Sequence, residues 1–163
     1  MAFRDSKEQV WDMAITVGSV LRVKRLLDVD LFDVVTAVKN QTPLMGILST
    51  DHALLVNVCY VILKPALDAA AITEDQFAER LSGKGFASMR LTFFEELRRF
   101  FTESGRHDQA IAINRLQETE SLATTESTRL ITEINPEDVV SRAIAAGTAS
   151  TNGPASAASS PTA

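Results

Sequence analysis

Ala53–Leu63, ALLVNVCYVIL, constrains this chain more than any other stretch. Ten of its eleven residues are apolar or aromatic, and Asn57 is its one clearly polar side chain. A helix lying on a protein surface keeps an apolar stripe and a polar back. This segment has no polar back, so other elements must enclose it on nearly every side. At about 1.5 Å per residue it reaches roughly half the thickness of a bilayer core, which makes it a buried helix and no membrane span. Val56, Val58, Val61 and Ile62 are β-branched and keep a buried strand as the rival. The flanks favour the helix: Thr50-Asp51 offers a cap and an acidic first turn, and Lys64-Pro65 places a cation and a stop at the far end.

A chain of 163 residues suits one domain large enough to bury a single core. Its net charge of −5 and pI near 5.0 argue against a protein that grips duplex nucleic acid, which needs a strong basic footprint. The single cysteine, Cys59, lies inside the most apolar segment and has no partner for an internal disulfide. It reads as a small hydrophobe and fits a reducing cytosol, so a cytoplasmic location is expected. No cationic stretch followed by an apolar run opens the sequence, so no signal peptide is expected.

The fold expected is mainly α: a compact multi-helix domain over residues 1–146, with a small β-hairpin within residues 1–16 and a flexible Ala/Ser/Thr/Pro-rich tail over 147–163. Trp11, Met13 and Ile15 alternate with Asp12, Ala14 and Thr16, a period of two. Phe3 lies upstream across a turn at Asp5-Ser6-Lys7-Glu8, and Trp11 is the expected anchor. A lone hairpin is marginal and would have to rest on the helices. Thr16 caps a helix to about Leu27 that carries Arg22, Lys24 and Arg25. Asp30-x-x-Asp33 reads as the start of a second helix, with Leu31, Val34, Val35 and Val38 as its stripe. Thr42-Pro43 opens a short third one. After the buried segment, Thr73 and Gln76 have capping-box spacing, with Ile72 and Phe77 at the staple positions.

Ser82-Gly83-Lys84-Gly85 lacks the full phosphate-loop spacing and follows a helix, so it reads as a helix end and hinge. Phe86–Phe101 is the most aromatic helix, with Phe86, Met89, Phe93, Leu97 and Phe100 on one stripe that Phe94 and Phe101 widen. Glu95, Glu96, Arg98 and Arg99 are expected to point away, Glu95 pairing with Arg99. Seven large apolar groups exceed what one neighbouring helix covers. Core packing is the plain reading; a groove for a partner's helix is the sharper one, with Phe93, Phe94, Leu97 and Phe101 as the candidate partner-binding residues. A long polar helix follows over about 106–134, with a break allowed near Thr124–Thr128. Asn135-Pro136 begins a last short helix, with Val139, Val140 and Ile144 on its apolar edge, and Gly147 ends it. The remainder carries no charge and no large apolar side chain, so it is expected to stay flexible.

No Cys-x-x-Cys, His-Glu-x-x-His or EF-hand spacing accompanies His52 and His107, so neither a metal nor a cofactor is expected. No nucleophile, base and orienting partner can be assembled from the spacing, and no enzyme is expected. Catalytic residues are accordingly none.

Several segments are similar to a group of short phage proteins: Trp11 with Ile15-Thr16-Val17, Arg22-Val23, Leu27-Asp28-Val29-Asp30-Leu31, the Leu54-Leu55 to Tyr60 run into Lys64-Pro65-Ala66 and Asp68, Glu74-Asp75-Gln76-Phe77, and Phe94-Glu95-Glu96-Leu97 to Phe101. Across roughly residues 11–117 the chain resembles the tail assembly chaperones of long-tailed bacteriophages. These are small, helical, acidic proteins encoded ahead of the tape-measure protein. The resemblance implies a non-enzymatic assembly factor, in the host cytoplasm, that holds apolar helices of the tape measure until tail-tube subunits polymerise around it. It implies a protein partner, no nucleic acid and no membrane, and leaves a homo-oligomer open. The alternatives are a helical structural or scaffold subunit of a phage particle and, further off, a nucleic-acid-binding regulator using Arg22, Lys24 and Arg25.

Overall fold

A computed structural model describes residues 1–36 and 42–133. In order, these carry β1 (Ala2–Arg4), β2 (Val10–Asp12), α1 (Val17–Leu27), α2 (Leu44–Thr50), α3 (His52–Ala69), α4 (Glu74–Glu79), α5 (Lys84–Glu103) and α6 (His107–Glu133). The chain divides into two compact units, Met1–Glu118 and Thr119–Ala163. Of the second, the described part is the continuation of α6, where Arg129 pairs with Glu126 at 2.8 Å. The helix, apolar edge and flexible tail expected from Asn135 onward lie outside the described residues.

β1 and β2 form an antiparallel hairpin with Phe3 opposite Trp11, both buried. The turn between them is organised by one carboxylate. Asp5 accepts from the amides of Lys7 and Gln9 and, at 3.0 Å, from the Trp11 indole N–H. The Asp5 side chain thus replaces a turn's missing backbone bonds and satisfies a buried indole donor at once.

α1 starts at the expected cap. The Thr16 hydroxyl accepts from the Ser19 amide and Ser19 answers, a closed capping box. Val20 and Val23 face inward. The chain then departs from expectation. Residues 30–36 form turns and bends with no helix. Asp30 and Asp33 bond their own loop, accepting from the amides of Phe32 and Thr36. The Val34 amide donates to Gln109 of α6, and its carbonyl accepts from Met45. Short acidic side chains compete with helical bonds in this way, and β-branched Val34 and Val35 do little to resist. Leu31 and Val34 still reach the core. The expected helix would have run on through Val38 into residues 37–41, which lie outside the described set.

α3 is the central packing element: α1, α2, α4 and α5 all pack on it. Asp51 is its cap, accepting from Leu54, and Leu55, Val58, Cys59, Val61, Ile62, Leu63 and Leu67 are buried. By length and composition alone this helix would pass for a membrane span. The expected stop at Pro65 is wrong, because the helix continues through it to Ala69. Proline has no N–H for the carbonyl four residues back, here Val61. The Arg22 guanidinium of α1 supplies donors instead, reaching the Val61 and Ile62 carbonyls at 3.2 and 3.3 Å. A side chain from another helix repairs the gap, so the proline is tolerated.

α4 is a short helix with the capping box of Thr73 and Gln76 complete and Phe77 fully buried. α5 begins two residues earlier than its aromatic pattern implies, at Lys84, after Gly83 turns the chain at φ 42. Gly85 is therefore helical. A β-carbon there would lie 3.4–3.6 Å from the Arg80 carbonyl and the backbone of Ser6 and Arg4, ordinary contact distances that show how closely the hairpin turn sits against α5. α6 is continuous across the Thr124–Thr128 stretch where a break was allowed.

Candidate partner-binding surface

α5 carries the residues that the sequence singles out for a partner. Phe93, Phe94, Leu97 and Phe101 are all enclosed, none more than 1% exposed. Phe94 stacks edge-on to Phe93 at 5.2 Å, and Phe101 to Phe100 at 5.5 Å. Arg90 covers the Phe94 ring, and Arg106 covers Phe101. The four are core in the folded chain and offer no open groove. Their excess over one neighbour's capacity is absorbed because two elements cover α5, β1 as well as α3. Phe86 and Phe100, at the edges, stay half-buried.

The polar side of α5 also differs from expectation. Glu96, expected to point away, is 1% exposed. Its position three after Phe93 and one before Leu97 already puts it on the inner arc of the helix. One carboxylate oxygen accepts from the Met1 ammonium at 2.5 Å, and the other from Arg99 at 2.7 Å. Arg99 therefore pairs with Glu96, and more distantly with Glu103, in place of the expected Glu95. A buried carboxylate needs this double pairing, since an unpaired one would carry a large desolvation cost.

A second buried carboxylate belongs to Asp5. Enclosure pushes its titration up, yet hydrogen bonds from Trp11, Gln9 and Lys7, with Arg80 beside it at 3.6 Å, outweigh that and hold it below the ordinary value. Cys59 is fully buried, and burial pushes its thiol far up, so it is no nucleophile at neutral pH. His52 is exposed and rests edge-on against Phe86 at 5.1 Å. Among the described residues, no group of three or more His, Cys, Asp or Glu side chains could hold a metal ion.

Among the described residues, large apolar side chains stay exposed on several elements, and α1 carries three of them. Val17, Leu21 and Leu26 are each more than half exposed on an eleven-residue helix. Val17 and Leu21 stand one turn apart on the side away from Ser19 and Val23, whereas Leu26, nine residues after Val17, projects from the opposite side at the helix end. The signal was present in the sequence: this helix has apolar residues on both sides of its wheel, and only one side can be core. Leu91 is likewise exposed on α5, and Ile111 on α6.

The basic residues of α1 are mostly engaged within the chain. Arg22 holds the α3 carbonyls, and Lys24 pairs with Asp28 at 2.8 Å, leaving Arg25 exposed. Open clefts among the described residues include two of note. One lies between the hairpin turn and the start of α5, lined by Arg4, Asp5, Ser6, Ser82 and Lys84 among others. The other lies where Thr16 and Arg22 meet Pro65. Compared with known proteins, the chain matches no family model, no curated protein and no solved structure.

Proposed function

We propose that this protein is a non-enzymatic assembly chaperone of the phage-tail type, which binds apolar helices of a tape-measure protein through the exposed apolar side chains of α1. The observation that carries the reading is the set of three large apolar side chains, Val17, Leu21 and Leu26, exposed on one short helix. Exposed apolar groups on a single element supply the anchors that helix recognition needs. The resemblance over residues 11–117 supplies the class of partner, and the acidic, helical build agrees with it. The reading rests on α1 because the aromatic arc of α5 is spent on the core. A nucleic-acid role draws less support, since Arg22 and Lys24 are engaged within the chain.

The test is co-expression with a phage tape-measure protein, reading soluble recovery and co-purification. The wild-type chain should keep the tape measure soluble and elute with it. Leu21→Glu with Leu26→Glu should weaken capture by more than ~1 kcal/mol, the threshold at which a truncated side chain counts as an anchor. Its thermal midpoint should stay close to wild type, because exposed side chains give up little burial. Equal capture by the double variant would remove α1 from the interface. Recovery of the chain in finished particles would favour the structural-subunit alternative.

A further inference from the structure

We draw no further inference here: the strongest candidate, the cleft where the hairpin turn meets the N-terminus of α5 beside Arg4 and Lys84, is a helix N-terminus with nothing in the structure to point to a ligand, and the buried Asp5 carboxylate on its wall is already engaged by Lys7, Gln9, Trp11 and Arg80.

Discussion

Arg22 shows how much one side chain can hold. Its contact with the Val61 and Ile62 carbonyls matters because Pro65 leaves a carbonyl without an amide donor. Arg22→Ala should therefore cost about 1–3 kcal/mol, the usual cost of stranding a buried acceptor. Pro65→Ala restores an N–H to α3, so the same arginine truncation should cost less in that background, with a coupling of at least ~0.5 kcal/mol. Urea unfolding of the two single variants and the double variant measures it, and additive losses would refute the repair role. Asp5 acts through pH. Its folded titration is depressed, so its stabilisation is present above the ordinary carboxylate value of about 3.9 and is lost as pH falls through the folded value. Wild type should exceed Asp5→Asn in stability at pH 7, and the gap should narrow progressively as pH falls below about 3.9. A gap unchanged over that range would mean the carboxylate's charge is irrelevant to the turn.

At the scale of elements, α3 and α5 are the two walls of the core. Leu55 and Ile62 sit seven residues apart on α3, with 0% and 6% exposure, and each truncated to Ala should cost about 2–5 kcal/mol. Phe94→Ala and Phe101→Ala should cost about 3–5 kcal/mol, since both rings are enclosed. A small change in the unfolding midpoint for either phenylalanine would reopen the groove reading of α5. The start signals at Thr16 and Thr73 were legible because a cap acts within one turn of its own residue, whereas the cap expected at Thr50 falls to Asp51, since Thr50 still belongs to α2. The hairpin was legible for a related reason, as its period of two is local. The misreadings share an opposite cause. Asp30–Val35 has helical spacing, but Gln109 and Met45 take the Val34 backbone. Pro65 reads as a stop until Arg22 is brought to it. Glu96 reads as solvated until Met1 and Arg99 close around it. Each was decided by a residue distant in sequence or folded back from another turn, beyond the reach of local pattern.

For the molecule as a whole, charge and surface use point the same way. With a net charge of −5 and two of three clustered α1 cations engaged, the chain should not retard a DNA duplex at low salt. A band shift at 50 mM salt that vanishes by about 200 mM would reinstate the nucleic-acid alternative, since phosphate contacts weaken steeply over that interval. The way the hairpin lies on α5 also bears on synthesis. Phe3 and Trp11 close a core whose other wall is Lys84–Glu103. Roughly 80 residues separate the strands from that helix, and a ribosome adding about 5–20 residues per second needs ~4–16 s to make them. A hairpin alone is marginal over such an interval. The hairpin must therefore wait, its tryptophan and phenylalanine open to water, until the helix that shelters them has been made.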